Sequence, residues 1–150
     1  MASTDLVRDD IDALALERLR RIDQRYTGNC RALLDILAGA PQPVTIPEIV
    51  ELRSGLATSS VYRNLATLER AGLITRIVTS HEHARFELAD ELSGHHHHLV
   101  CDACGKVSDI TLPGALEAQL HKSIMRIAKQ SGYRSVAHRV DLVGVCPDCD

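Results

Sequence analysis

The run Thr58-Ser59-Ser60-Val61-Tyr62-Arg63-Asn64-Leu65-Ala66-Thr67-Leu68-Glu69-Arg70-Ala71-Gly72 passes directly into Leu73-Ile74-Thr75-Arg76-Ile77-Val78, and the change of period at Gly72 decides the fold. Before it, Val61, Leu65 and Leu68 recur at helical spacing as one apolar stripe, while Arg63, Asn64 and Arg70 point elsewhere. Gly72 stands where a helix over residues 58–71 should end, since glycine enters the left-handed region at little steric cost. Residues 73–78 and 84–88 then read as two strands joined through the polar stretch Thr79-Ser80-His81-Glu82-His83. Helices followed by a strand pair give a winged helix-turn-helix, and such motifs place their second helix in the DNA major groove.

Towards the N-terminus the same signals continue. Thr45 is placed to cap a third helix running through Leu52, with Pro47 in its first turn and Gly55 beyond its end. Thr27 caps a second helix over residues 30–37, where Leu33, Leu34 and Leu37 share a face; it stops before Gly39-Ala40-Pro41. Ile11, Leu14, Leu16 and Leu19 give a looser helical stripe within residues 1–20. Towards the C-terminus, residues 89–94 read as a hinge, 95–100 as a strand, 107–110 as a short strand, 113–130 as a helix and 136–145 as a final strand. The chain is therefore expected to be α+β, with one domain over residues 1–88 and a second over residues 95–150.

Charge permits DNA binding without requiring it. The 150 residues carry a net charge of −3. Residues 1–88 hold 11 Arg, no Lys and 12 acids, and residues 89–150 hold six bases and eight acids. Between Arg53 and Arg85, however, five Arg face only Glu69 and Glu82, and affinity for phosphates depends on such local charge. Aromatic content is 3% and Trp is absent, which disfavours recognition of RNA bases by stacking. No apolar run approaches a membrane span, and the acidic start of the chain has no secretion-signal pattern. A cytoplasmic protein with no membrane partner is expected.

In such a compartment, Cys101-Asp102-Ala103-Cys104 and Cys146-Pro147-Asp148-Cys149 read as metal knuckles before disulfides. Two pairs of thiolates complete a tetrahedral all-sulfur shell, which leaves no open position and so implies structural Zn2+. Cys30 stands apart and reads as a core residue. Three residues before Cys101 ends the run His95-His96-His97-His98. Side chains on a strand alternate faces, so His95 and His97 point one way and His96 and His98 the other, and one run can feed two sites. Glu87, Asp109, Glu117, His121 and His138 are further candidate ligands; Glu117 and His121 share one helix face at i and i+4. A zinc hydrolase or nucleobase deaminase is a rival reading, but a deaminase needs H-x-E followed by P-C-x-x-C. His81-Glu82-His83 has the wrong order for that, and Pro147 lies inside its pair. A zinc-stapled module binding only proteins is a third reading.

With helix-turn-helix, His run, Cys101–Gly105 and terminal knuckle in this order, the chain resembles the ferric uptake regulator (Fur) family. The likeness rests on Arg25-Tyr26-Thr27, Ser60-Val61-Tyr62-Arg63-Asn64-Leu65, Ala71-Gly72-Leu73-Ile74, Phe86-Glu87-Leu88, the run from His95 to Cys101, Cys104-Gly105-Lys106, and the segment from Gly144 to Cys149. It covers roughly residues 20 to 150, leaving the first twenty as an extra N-terminal helix. The resemblance implies a homodimer of winged-helix DNA-binding domains joined by hinges to small α/β dimerisation domains. Such proteins repress metal-homeostasis or stress genes, on palindromic operators in double-stranded DNA, when a regulatory metal binds. They are not enzymes and take no small organic substrate.

Carried over residue by residue, the resemblance assigns Tyr62 and Arg63 to groove and phosphate contacts, Ser59, Ser60 and Asn64 to the same face, and Arg25 to the minor groove. Cys101, Cys104, Cys146 and Cys149 match its structural zinc. Glu87, His96 and His98 match its regulatory site, and His95, His97 and His138 a further site with Glu117 or His121 as fourth ligand. Asp109 matches a carboxylate that some relatives use. Three departures stand out: Pro43 and Val44 replace a frequent His ligand, Ala89 replaces a Cys common in the zinc-sensing branch, and Cys30 replaces an Arg. The wing histidines His81 or His83 are the candidates to supply the missing ligand. Histidine-rich sites with a carboxylate suit Zn2+ and accept Fe2+, Ni2+ or Mn2+; His97, where many iron and peroxide sensors carry Asp, favours Zn2+.

Overall fold

The computed structural model describes residues 2–80 and 83–150, with side chains from residue 8 onward; His81 of the wing lies outside the described residues. The chain divides into two compact units, Met1–His95 and His96–Asp150.

The first unit runs α1 (Ala2–Arg21), α2 (Gly28–Gly39), β1 (Val44–Thr45), α3 (Ile46–Leu52), α4 (Thr58–Arg70), β2 (Ile74–Ile77), β3 (Arg85–Leu88) and α5 (Asp90–Ser93). Both expected caps form. Thr27 accepts the Cys30 N–H at 3.3 Å, and Thr45 and Glu48 make a reciprocal capping box that opens α3 with Pro47 inside its first turn. Val61, Leu65 and Leu68 bury one side of α4 against Leu33, Leu34, Leu37, Ile49 and Leu73. Gly72 ends that helix at φ +70°; a Cβ there would stand 3.2 Å from the guanidinium of Arg18.

Two details depart from the sequence reading, and a third adds to it. The buried stripe of α1 is Ile11, Ala15 and Leu19, while Leu16 is exposed; four-residue steps keep these three on one face. A short strand, β1, joins the wing, pairing Val44 with Phe86 and Thr45 with Arg85 to give the order β1-β3-β2. Within residues 89–94, read as a hinge, α5 forms, and the Ala89 N–H bonds the Leu73 carbonyl at 3.0 Å.

The second unit is a sheet of order β5-β4-β6 with one helix, built from β4 (His97–Cys101), β5 (Val107–Ile110), α6 (Gly114–Gln130) and β6 (Asp141–Gly144). β5 runs antiparallel to β4 and β6 parallel to it, so the chain must cross over through α6 to return. The last strand is shorter than expected. Residues 136–140 stay irregular, and this frees His138 to turn towards α6 and the Val140 N–H to bond His97 Nδ1 at 3.2 Å. Within the chain, Leu116, Met125, Ile127, Tyr133, Leu142 and Val143 are exposed. No helix among the described residues is long and apolar enough to cross a membrane.

Candidate metal centres and DNA-reading face

Four sulfurs converge where β4 and β6 end. Cys101 closes β4, the turn through Cys104 is held by the Gly105 N–H on the Cys101 carbonyl at 2.9 Å, and Gly105 takes the left-handed conformation at φ +71°. The second knuckle folds the same way, with the Cys149 N–H on the Cys146 carbonyl at 2.9 Å. All four Sγ atoms lie within 4.8 Å of one another, and those of Cys104 and Cys146 are 3.8 Å apart. A tetrahedron with Zn–S arms of about 2.3 Å has edges of about 3.8 Å, so the donor set fits zinc.

Electrostatics agree with that fit. The Cys146 N–H donates to Cys101 Sγ at 3.3 Å and, with smaller help from the amides of Cys104 and Ala103, holds the Cys101 thiol down to about 6. Cys149 is pushed up to about 12 by its contacts with the Cys146 and Cys104 sulfurs and by burial. One thiolate thus forms readily while its crowded neighbours resist a second negative charge; a bound zinc ion supplies the positive charge that lets all four ionise. Lys106, 3.2 Å from Asp148, spans the two knuckles on the outside.

The histidine run feeds both faces of the second sheet. His97 and His98 are adjacent on β4, each 1% exposed. On one face, His97 Nε2 lies 2.9 Å from Glu117 Oε2, and His138 Nε2 lies 2.7 Å from Glu117 Oε1. The hydrogen bond from His97, followed by the close approach of the His138 imidazole, lowers the Glu117 carboxyl below its ordinary value. Glu117 rather than His121 therefore meets the histidines; His121 is exposed and joins none of the donor groups found among the described residues. On the other face, His96, His98 and Asp109 bring donor atoms within 4.8 Å of one another. Asp109 is the cross-strand partner of His98 on β5, and the His96 and His98 rings meet edge to face at 5.1 Å.

The remaining candidates lie in the first unit. His95 closes it, with Nδ1 2.7 Å from Asp90. Glu87 is buried on β3 opposite Thr75. His83 is exposed and lines a cleft of about 220 Å³ with Tyr62, Glu69 and Arg76. It joins no donor group among the described residues.

α4 presents Ser59, Tyr62 and Arg63 outward. Tyr62 is 56% exposed, which excludes core packing as its role, and no side chain caps the helix start. Asn64 is differently placed. Its amide donates to the Ser60 carbonyl at 2.7 Å and its Oδ1 lies 3.1 Å from Cys30 Sγ, so both ends of the amide are engaged inside the unit. Arg25 is exposed between α1 and α2.

Sequence reasoning missed Asp141, whose Oδ1 is 3.1 Å from His98 Nδ1 and whose Oδ2 is 2.9 Å from Arg139. A signal was present: Asp141 is the one charged residue in the otherwise apolar segment 140–145.

Comparison with known proteins gives a consistent result. The sequence model of the ferric uptake regulator family matches residues 22–143. The peroxide operon regulator of Bacillus subtilis is 28% identical over 139 residues, covering 90% of each chain. The ferric uptake regulation protein of Bordetella parapertussis is 38% identical over 104 residues, covering 69% of this chain and 67% of that one. Among solved structures, the ferric uptake regulator of Pseudomonas aeruginosa with manganese superposes with a TM-score of 0.68 at 28% identity, covering 89% of this chain and 98% of that one.

Proposed function

The chain belongs to the ferric uptake regulator family, and from that premise we propose that it is a metal-responsive transcriptional repressor. It binds palindromic operator DNA as a homodimer when a regulatory metal is bound. The observation that carries this reading is the separation of donor chemistry in one small sheet: four sulfurs at the ends of β4 and β6, and imidazoles with carboxylates along β4. A closed sulfur shell fastens structure and offers no exchangeable position. Imidazole and carboxylate donors bind divalent ions reversibly, as a sensor requires.

In this reading Cys101, Cys104, Cys146 and Cys149 hold structural zinc. His96, His98 and Asp109 belong to the regulatory centre, to which the family resemblance also assigns Glu87. A metal with a higher affinity for the arrangement that matches the operator half-sites shifts the population towards it. His97, Glu117 and His138, with His95, make the additional site. Zn2+ is the favoured regulatory ion. Tyr62, Arg63, Ser59 and Ser60 face the major groove, and Arg25 reaches the minor groove. The exposed Leu142, Val143, Ile127 and Tyr133 form the surface that a second copy covers. The protein works in the cytoplasm and performs no catalysis.

The test uses full-length protein and a duplex selected from a random pool by the zinc-loaded form. One zinc per subunit should resist mild chelation, while retention of the duplex in a gel shift should rise and fall with a second, weaker ion. Retention indifferent to added divalent cations would refute the reading.

A further inference from the structure

We propose that Asp141 is a positioning residue for the regulatory metal, fixing the tautomer of His98 so that its Nε2 lone pair faces the ion. The inference rests on the sensor reading above and adds a residue to it. A neutral imidazole has one N–H and one lone pair, and an ionised carboxylate only accepts. With Asp141 Oδ1 3.1 Å from His98 Nδ1, the hydrogen belongs on Nδ1 and the lone pair on Nε2. Arg139 holds the other oxygen, Oδ2, at 2.9 Å, which orients the carboxylate. Asp141 stands outside the donor set of His96, His98 and Asp109. Carboxylates that bond the far nitrogen of a ligand histidine orient the ring and raise its basicity.

The arrangement follows from strand register. His98 pairs with Asp109 on β5 and with Asp141 on β6, so both carboxylates flank it on one face of the sheet. The parallel β4–β6 register is fixed by the knuckles: Cys101 pairs with Gly144, the Asp102 N–H bonds the Gly144 carbonyl at 2.7 Å, and the Cys146 N–H bonds Cys101 Sγ. A slip by one residue would put Val140 or Leu142 opposite His98 and turn Asp141 to the other face. The four-cysteine staple therefore also sets the aim of a regulatory ligand.

The experiment takes full-length protein carrying its tightly held zinc, with histidines labelled with 15N. Long-range 15N–1H correlation in the absence of further metal should show His98 as the Nδ1–H form. In Asp141→Ala that preference should be lost, and affinity for the second Zn2+, measured against a fluorescent chelator, should fall about 10- to 100-fold. Asp141→Glu should recover part of both. One retained zinc per subunit in each variant establishes that the fold survives. An Nε2–H form in the unaltered protein, an unchanged tautomer in Asp141→Ala, or unchanged Zn2+ affinity would each overturn the proposal. If the unaltered protein takes up no second Zn2+, the sensor reading fails, and the tautomer measurement still decides whether Asp141 governs His98.

Discussion

The sulfurs of Cys104 and Cys146 stand 3.8 Å apart although 42 positions separate them in the chain. Their approach ties down β6, an edge strand that among the described residues pairs only to β4, and all four of its residues are exposed within the chain. Little apolar burial holds that strand, so the staple must. Structural zinc contributes on the order of 10 kcal/mol to folding in small zinc domains. Cys146→Ser should cost several kcal/mol of that order and release the tightly held zinc. Hydrogen exchange should then show β6 amides losing protection while α4 keeps its own. Retained protection of β6 in the zinc-free variant would count against the staple.

Glu117 carries a proton-linked prediction. His97 and then His138 lower its carboxyl below the ordinary 4.5. A carboxyl depressed in the folded state stabilises above its unfolded value, and that contribution disappears as pH falls through the lower, folded value. With the four-cysteine zinc retained and no further metal bound, the protein should therefore lose stability on acidification below 4.5, and Glu117→Gln should lose less over the same window. Urea unfolding followed at neutral and acid pH reads the difference. Equal acid sensitivity in both proteins would remove Glu117 from the linkage.

Arg63 and Tyr62 separate two kinds of DNA contact. Arg63 is exposed on α4 beside the open start of the helix, and the proposed function assigns its guanidinium to phosphate. Arg63→Ala should weaken binding to all sequences alike and flatten the slope of log affinity against log salt by about 0.9. Tyr62→Ala should instead alter preference among duplexes. Fluorescence anisotropy over a salt series distinguishes them. An unchanged slope for Arg63→Ala would take that residue off the phosphate backbone.

How far the sequence announces all this depends on the range of the forces involved. The caps Thr27 and Thr45, the stripe Val61-Leu65-Leu68 and the stop at Gly72 are local, and each appears as read. The knuckles are equally plain, because thiolate pairs in this spacing have few other uses. β1 is not legible: two residues show no period, and they become a strand only because β3 offers them partners. Ala15 is overlooked beside Leu16 because a small residue reads weakly, yet the helical step buries the alanine. Glu117 and His121 cannot be ranked from spacing alone; the irregular segment that delivers His138 decides between them. Asn64, read as a DNA contact, is engaged by Ser60 and Cys30 through contacts that no local pattern encodes.

The N-terminal helix, which lies wholly before the family match at residue 22, is integral to the first unit. Leu19 is fully buried in the core that holds α4, and the next side chain along the same edge, Arg18, donates to the Gly72 carbonyl at 2.6 Å and pairs with Glu91 of α5. One helix thus braces the end of α4 and the helix that closes the unit. Leu19→Ala removes apolar contacts and leaves a cavity, a change that costs about 2–5 kcal/mol at buried leucines. Urea unfolding of the first unit should shift to a lower midpoint with its slope unchanged, and operator affinity should fall with it as α4 loses its support. A midpoint shift too small to resolve would show that α1 merely rests on the surface. Arg18→Ala offers an independent check, since it should loosen the turn at Gly72, visible as faster amide exchange at Leu73, without emptying any part of the core.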